Sequence, residues 1–287
     1  MYAVTGITGQ VGSATAQALL DAGHAVRAVV RSVEKGKPWA DKGCEIVVAD
    51  LGNVAALTEA FSGVEGVFLM TPPNFDPEPG FPATHANLAV ILAAVQAARP
   101  SKLVFLSTVG AQVEEPNLLN NSKITEAGLR TLSLPVAFLR AGWFMENASW
   151  DVAAAKTGTI QSFLQPLDHP IPMVATADIG RTAAALLGKI WTGTRIVELE
   201  GPRRYSANDI AAGFAAALGH PVATQPVPRE TWEPLFRSQG MAHPLPRIRM
   251  VDGFNEGWID FEGGAAEHRT GQVGLETVLR SLVDAAR

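Results

Sequence analysis

Tyr2-Ala3-Val4-Thr5-Gly6-Ile7-Thr8-Gly9-Gln10-Val11-Gly12 is a short apolar run that breaks into three evenly spaced glycines. Ser13-Ala14-Thr15-Ala16-Gln17-Ala18-Leu19-Leu20 follows, a helical stretch that Gly23 closes. A strand that ends at Gly6, turns through Gly9 and enters a helix at Gly12 lets backbone amides approach a pyrophosphate, whose charge the helix dipole favours. Glycines alone also mark ordinary turns; the strand before them and the helix after them are what favour a dinucleotide. The binding residues expected there are Gly6, Thr8, Gly9, Gln10, Val11 and Gly12.

The pattern continues outward. Ala25-Val26-Arg27-Ala28-Val29-Val30 and Glu45-Ile46-Val47-Val48-Ala49 are short, valine-rich and bounded by turn residues, so each predicts a strand. Residues 54–61 have helical spacing, Gly66-Val67-Phe68-Leu69-Met70 is a fourth strand, and residues 84–98 form a long helix. Lys102-Leu103-Val104-Phe105-Leu106-Ser107 and Pro135-Val136-Ala137-Phe138-Leu139-Arg140 are strands five and six, with a helix over residues 124–132 between them. Alternating strands and helices with near-continuous apolar strands predict an α/β fold, a Rossmann-like doubly wound parallel sheet.

From about residue 141 the alternation loosens around Pro166, Pro170 and Pro172. A smaller C-terminal α+β lobe is expected here, giving a nucleotide-binding domain over residues 1–145 and a substrate lobe over 146–287. Asp178 is the expected cap of a helix over residues 179–189, and Ser206 with Asp209 forms a capping box before a helix that Gly219 ends. Between them Arg195-Ile196-Val197-Glu198-Leu199-Glu200 is a strand able to return to the main sheet. Residues 229–239 and 274–286 are expected amphipathic helices. Such a lobe would close over the carboxyl ends of the strands, where open α/β sheets bind ligands.

Composition narrows the function classes. The 287 residues are 47% hydrophobic and 18% charged, with a formal net charge of −5, so no basic surface argues for nucleic acid. The longest apolar stretch, residues 88–98, is too short for a bilayer, and no charged leader precedes the first strand, so a cytoplasmic protein is expected. The single cysteine, Cys44, lies before an apolar strand and is expected to be buried. Six scattered histidines have no metal-ligand spacing, and no Gly-x-Ser-x-Gly or Walker lysine is present, so no metal site is expected.

The end of the second strand bears on which dinucleotide binds. An NAD site places a carboxylate there, whereas this chain has Arg31, with Lys35 four residues on. A guanidinium suits a 2′-phosphate through charge-assisted bonds, so NADP(H) is the expected cofactor, with Glu34 the dissenting neighbour. A solvated loop of charges is the alternative for these residues. After strand three, Asp50 either holds the adenine amino group or caps a helix, while Leu51 packs on the ring. Thr71 and Pro72, with Pro73, either wall the cofactor or only end strand four.

With these residues and Leu106-Ser107-Thr108-Val109-Gly110, the chain resembles the NmrA-like branch of atypical short-chain dehydrogenases, and within it the bacterial NADPH-dependent quinone reductases. The Gly-x-x-Gly-x-x-Gly spacing is that superfamily's variant of the dinucleotide turn. The resemblance extends through Phe138-Leu139-Arg140-Ala141-Gly142-Trp143-Phe144-Met145-Glu146-Asn147 and Glu200-Gly201-Pro202. Typical short-chain dehydrogenases carry Tyr-x-x-x-Lys; here Lys123 matches the lysine and Leu119 falls on the tyrosine. The resemblance implies a ribose-holding role for Lys123; a surface lysine at a helix start is the alternative.

A leucine cannot donate a proton, and that separates chemistries. Ketone reduction leaves an alkoxide that needs a placed acid. A quinone yields a hydroquinone anion stabilised by its own ring, so stacking the acceptor is most of the task. Thr108 or Ser107 could donate to the acceptor oxygen, or bond local backbone instead. Phe75, Trp143, Phe144, Asn147 and Trp150 are the expected acceptor slot, with core packing the alternative for each aromatic. The leading expectation is an NADPH-dependent reductase of a small conjugated acceptor. The rival is a non-catalytic redox sensor that binds the dinucleotide and acts on a regulatory protein partner. A second copy of the chain is another open partner, and an isomerase or a reductase of imines or enones would need a different polar group at the slot.

Overall fold

The computed structural model describes residues 1–286. Its centre is one parallel sheet in the order β12-β10-β6-β5-β4-β1-β2-β3. The first six strands are β1 (Tyr2–Val4), β2 (Val26–Val30), β3 (Glu45–Val48), β4 (Gly66–Leu69), β5 (Lys102–Thr108) and β6 (Val136–Ala141). The other two, β10 (Thr194–Glu200) and β12 (Glu267–Thr270), extend the sheet past β6. The chain runs outward from β1 in both directions, so the strand order reverses between β1 and β4, the position where doubly wound sheets open a ligand crevice. The expected Rossmann-like α/β architecture is the one the chain adopts.

Two helical layers cover the sheet. On one face α1 (Gln10–Asp21) buries Val11, Thr15, Ala16 and Leu19, one stripe at helical spacing, beside α7 (Thr176–Leu187). On the other lie α3 (Val54–Phe61), α4 (Pro82–Ala98) and α5 (Asn120–Leu129), whose Phe61, Ile91 and Leu129 meet Leu103 and Phe138 of the sheet. The Asn53 side chain caps α3 by accepting from the Ala56 amide at 3.1 Å. Cys44 is buried beneath α2 (Val33–Ala40), a helix the sequence reading treats only as a possible charged loop.

The remaining elements enclose a separate core around Tyr205, Phe214, Trp232, Phe236, Phe254 and Leu279. They include the parallel pair β7 (Trp143–Phe144) with β9 (Met173–Val174), a 3-10 helix (Met145–Asp151), α6 (Val152–Lys156), and β8 (Thr159–Ser162) paired with β11 (Ala223–Pro226). The helices α8 (Ala207–Leu218), α9 (Trp232–Ser238), α10 (Leu245–Glu256) and α11 (Leu275–Ala285) complete it. The Ser206–Asp209 capping box is present, each residue bonding the other's amide.

Three local expectations are corrected. Asp178 caps no helix: α7 starts two residues earlier, and its carboxylate accepts instead from the Gln272 and Val273 amides at 3.0 and 2.9 Å and pairs with Arg181. Residues 229–239 split into a 3-10 turn (Arg229–Thr231) and α9, where Trp232 and Phe236 turn inward. The α4 helix begins at Pro82, after Phe81 in a left-handed conformation with φ 55°. Among the described residues no helix is long and apolar enough to cross a membrane.

Candidate active site

The β1–α1 turn leaves no room for a side chain at Gly6 or at Gly12. Gly6 has φ +63°, and a Cβ there would lie 2.4 Å from the Met70 sulfur. At Gly12 a Cβ would stand 2.1 Å from the Gly6 carbonyl oxygen. The Gly9 amide closes the turn onto that same oxygen at 2.9 Å. Gly9 is also the N-cap of α1, so no side chain takes up the first amides, and the first turn carries no acidic residue. The result is an open cradle of N–H donors at the positive end of a helix, which fits a pyrophosphate. Thr8 and Gln10 are exposed at its rim, while Val11 is anchored in the core. Below it the Thr5 hydroxyl accepts from the Met70 amide at 2.9 Å and ties the ends of β1 and β4 together.

Arg31 follows β2 directly and is exposed, and it forms no ion pair with any described residue. Glu34 is turned to its own helix end: its backbone amide and then the Ser32 hydroxyl hold its carboxyl below the usual range. Lys35 lies exposed in the first turn of α2, so only Arg31 and Ser32 remain in the loop. Asp50 is also exposed, and one carboxylate oxygen accepts from the Gly52 amide at 2.8 Å. Helix capping falls to Asn53, which settles that alternative for Asp50. Leu51 lies half-buried beside it.

The ends of β4 and β5 form the next part of the cleft. Thr71, half-buried, and Pro72, exposed, begin the segment that leaves β4. Asp76 then fastens that segment to the C-terminal lobe, accepting from the Ala242 and His243 amides at 2.8 and 2.6 Å. Ser107 is buried and donates to Glu126 at 2.6 Å, so it bonds neither backbone nor open space. Glu126 in turn holds Arg140 by two bonds of 2.9 and 2.8 Å, and Arg140 reaches Glu262 at 2.6 Å. Burial opposes the Arg140 charge, yet these carboxylates hold its pKa above the usual arginine value. Thr108, half-buried at the last position of β5, keeps its hydroxyl without a partner among the described residues. Lys123 sits on α5, paired with Glu114 at 2.6 Å and donating to the Val113 carbonyl at 3.2 Å.

The hydroxyls of the two tyrosines, Tyr2 and Tyr205, are both engaged within the fold. The Tyr2 hydroxyl donates to Glu65 at 2.8 Å, and burial followed by that carboxylate pushes its pKa up to about 12. The Tyr205 hydroxyl accepts from the Leu275 amide at 3.3 Å in the lobe core. Leu119 itself packs against that core at the start of α5.

The expected acceptor slot is only partly assembled from the five residues named for it. Phe75 and Trp150 meet edge to face at 6.4 Å, and both are exposed, at 46% and 67%. Trp143 instead packs on Phe254 at 5.4 Å, and Phe144 against the main-sheet core. Asn147 is half-buried between them in the chain. Two neighbours were not legible in the sequence. Asp151 follows Trp150, and burial pushes its carboxyl up to about 6. Arg247, on α10, stands 5.9 Å above Phe75 and 4.5 Å above Phe236. No spacing signal marks either, because each depends on contacts between distant segments. Among the described residues no group of three His, Cys, Asp or Glu side chains is gathered to hold a metal.

Known proteins share this fold. A (4-alkanoyl-5-oxo-2,5-dihydrofuran-3-yl)methyl phosphate reductase of Streptomyces griseus is 31% identical over 227 residues, which is 77% of this chain and 75% of that one. Quinone oxidoreductase 2 of Escherichia coli is 27% identical, over 85% of this chain and 84% of the relative. The NADPH complex of that bacterium's NADPH-dependent quinone oxidoreductase superposes with a TM-score of 0.76 at 24% identity, over 99% and 95% of the two chains. Triphenylmethane reductase of Citrobacter sp. superposes with a TM-score of 0.81 at 21% identity, over 99% of both chains. The NmrA-like family model matches residues 2–258. A match that spans nearly the whole chain makes it a member of the NmrA-like family.

Proposed function

We propose that this chain is an NADPH-dependent reductase of quinones and similar conjugated acceptors. The observation that carries the reading is the pairing of the glycine cradle at β1–α1 with an exposed Arg31 at the end of β2 that forms no ion pair among the described residues. The cradle amides would hold the pyrophosphate, and Arg31 with Lys35 would hold the 2′-phosphate. Asp50 and Leu51 would flank the adenine, and Thr71 and Pro72 would wall the far end. Lys123 would steady the nicotinamide ribose, for which its ammonium must exchange Glu114 for the ribose hydroxyls. Bound NADPH supplies a hydride.

The rest of the task falls to residues of this chain. Phe75 and Trp150 offer aromatic surface at the mouth of the cleft, where a flat acceptor can stack. The Thr108 hydroxyl, which has no partner among the described residues, would orient an acceptor oxygen. With Leu119 at the tyrosine position, an acceptor whose reduced form is stabilised by its own ring suits the site better than a simple ketone. The activities for which the relatives are named point the same way, to quinones and an unsaturated five-membered lactone.

The test follows reduced-nicotinamide absorbance when the purified protein meets NADPH, or NADH, and a simple 1,4-quinone. Quinone-dependent oxidation that prefers NADPH is expected. Tight NADPH binding without oxidation across several quinones would overturn the reductase and favour a sensor that acts on a protein partner.

A further inference from the structure

Arg247 is unlike the other sheltered arginines. Every other described arginine that is buried or half-buried faces a carboxylate: Arg140 has Glu126, Arg204 has Asp260, and Arg249, two residues along the same helix, has Asp252. Arg27 has Glu45, and Arg195 and Arg269 share Glu267. Arg247 has no such partner among the described residues. Its one polar contact is the Met241 sulfur at 3.8 Å, a weak acceptor for a group with five N–H donors. Burial alone, with no compensating charge, pulls its pKa down.

Its setting compounds the excess of positive charge. Arg247 lies in the first turn of α10, a twelve-residue helix with no acidic residue in that turn, so the helix end adds to the guanidinium. Asp76, in the segment after β4, is committed to the Ala242 and His243 amides. Those two bonds tie the segment before α10 to the segment after β4 and seat the guanidinium over Phe75. Phe75 is the ring that meets Trp150. The cation therefore overlooks the aromatic mouth of the cleft with its hydrogen-bonding capacity unspent.

We propose that Arg247 is a specificity residue that receives an oxyanion, such as a carboxylate, sulfonate or phosphate, carried by the acceptor that packs at Phe75 and Trp150. The assignment of that anion to an acceptor rests on the reductase reading; the presence of the anion site does not. A planar guanidinium engages such groups through two parallel bonds, which a lysine cannot reproduce.

The test compares wild type, Arg247→Met and Arg247→Lys. One readout is the ratio of kcat/KM for 1,2-naphthoquinone-4-sulfonate to that for 1,2-naphthoquinone. The other is calorimetric binding of naphthalene-2-sulfonate, which cannot be reduced, against uncharged naphthalene-2-methanol, each with NADP⁺ present. Wild type is expected to favour the sulfonates, and Arg247→Met to lose about 10- to 100-fold of both preferences, the range of bonds to charged groups. Arg247→Lys should recover part of the loss. Equal losses for charged and neutral partners, or NADPH affinity falling by the same factor, would overturn the proposal. If neither quinone is reduced but sulfonate binding depends on Arg247, the anion site stands and the reductase reading falls. If both quinones are reduced at a ratio that Arg247→Met leaves unchanged, the anion site falls and the reductase reading stands.

Discussion

The two walls of the cleft are built from different material. On the nucleotide side, the β1–α1 turn is a backbone construction in which the Gly6 carbonyl and the Gly12 α-carbon come so close that even a methyl group collides. On the acceptor side, Phe75, Trp150 and Arg247 are brought together from the segment after β4, a 3-10 helix and α10. Backbone geometry of the first kind accepts very few residues and leaves a local mark in the chain. Side chains gathered from separate segments can be exchanged one at a time, which lets one cradle serve many acceptors. On the proposed function, this contrast assigns cofactor recognition to the fold and acceptor choice to replaceable contacts.

The seam between the walls should be the most sensitive point. Arg140 on β6 is buried and held by Glu126 from α5 and Glu262 from the C-terminal region. Glu126→Ala leaves that guanidinium with half its partners and should lower unfolding free energy by about 3–5 kcal/mol. Urea denaturation measures it, and adding Arg140→Met should restore much of the loss. A cost no larger than that of a surface ion pair would mean that the seam is already wet.

Gly12→Ala attacks the nucleotide wall alone. Its methyl would lie 2.1 Å from the Gly6 oxygen, so the turn must open and the amides must part. NADPH affinity should fall on the order of a hundredfold, as expected when binding groups are displaced by about an ångström. Calorimetric titration reads this directly; near-native affinity would show that the cradle is pliable, and the contrast between the walls would fail.

Asp151 probes the acceptor wall at smaller scale. Burial raises its carboxyl from an ordinary 3.8 to about 6. Between those values the folded protein keeps a proton that the unfolded chain has released, so stability falls as pH rises from about 4 to 6. Asp151→Asn should remove that fall and stabilise the protein at pH 8 by about 1–3 kcal/mol. Thermal unfolding of both proteins across pH 4–8 tests it, and parallel curves would contradict it.

The same contrast governs how much could be seen in the chain beforehand. The strands of the main sheet are runs such as Val26–Val30 and Gly66–Leu69, apolar because both faces are covered, and all six expected in the first half are present. The strand over Thr194–Glu200 and the Ser206–Asp209 box were equally legible, since each signal lies within a few residues. The α2 helix was not, because Gly36 and Pro38 interrupt its pattern and only packing of Gly36 and Trp39 sustains it. Nor was β12, whose Glu267, His268, Arg269 and Thr270 hold no apolar residue and join the sheet through β10. Its Glu267 pairs with Arg195 and Arg269, a stabilisation that no periodicity reveals. At the site, the glycines and Arg31 could be picked out because their positions relative to strands carry meaning. Arg247 could not, because what distinguishes it is a missing partner.

On the proposed function the choice between NADPH and NADH falls to the Arg31 side chain, so it offers the most direct test of the account. Calorimetric titration of wild type and Arg31→Ala with NADPH and NADH should show wild type favouring NADPH. The substitution should cost about 1.5–3 kcal/mol for NADPH while leaving NADH nearly unchanged. Equal weakening of both cofactors, or no preference in wild type, would contradict it.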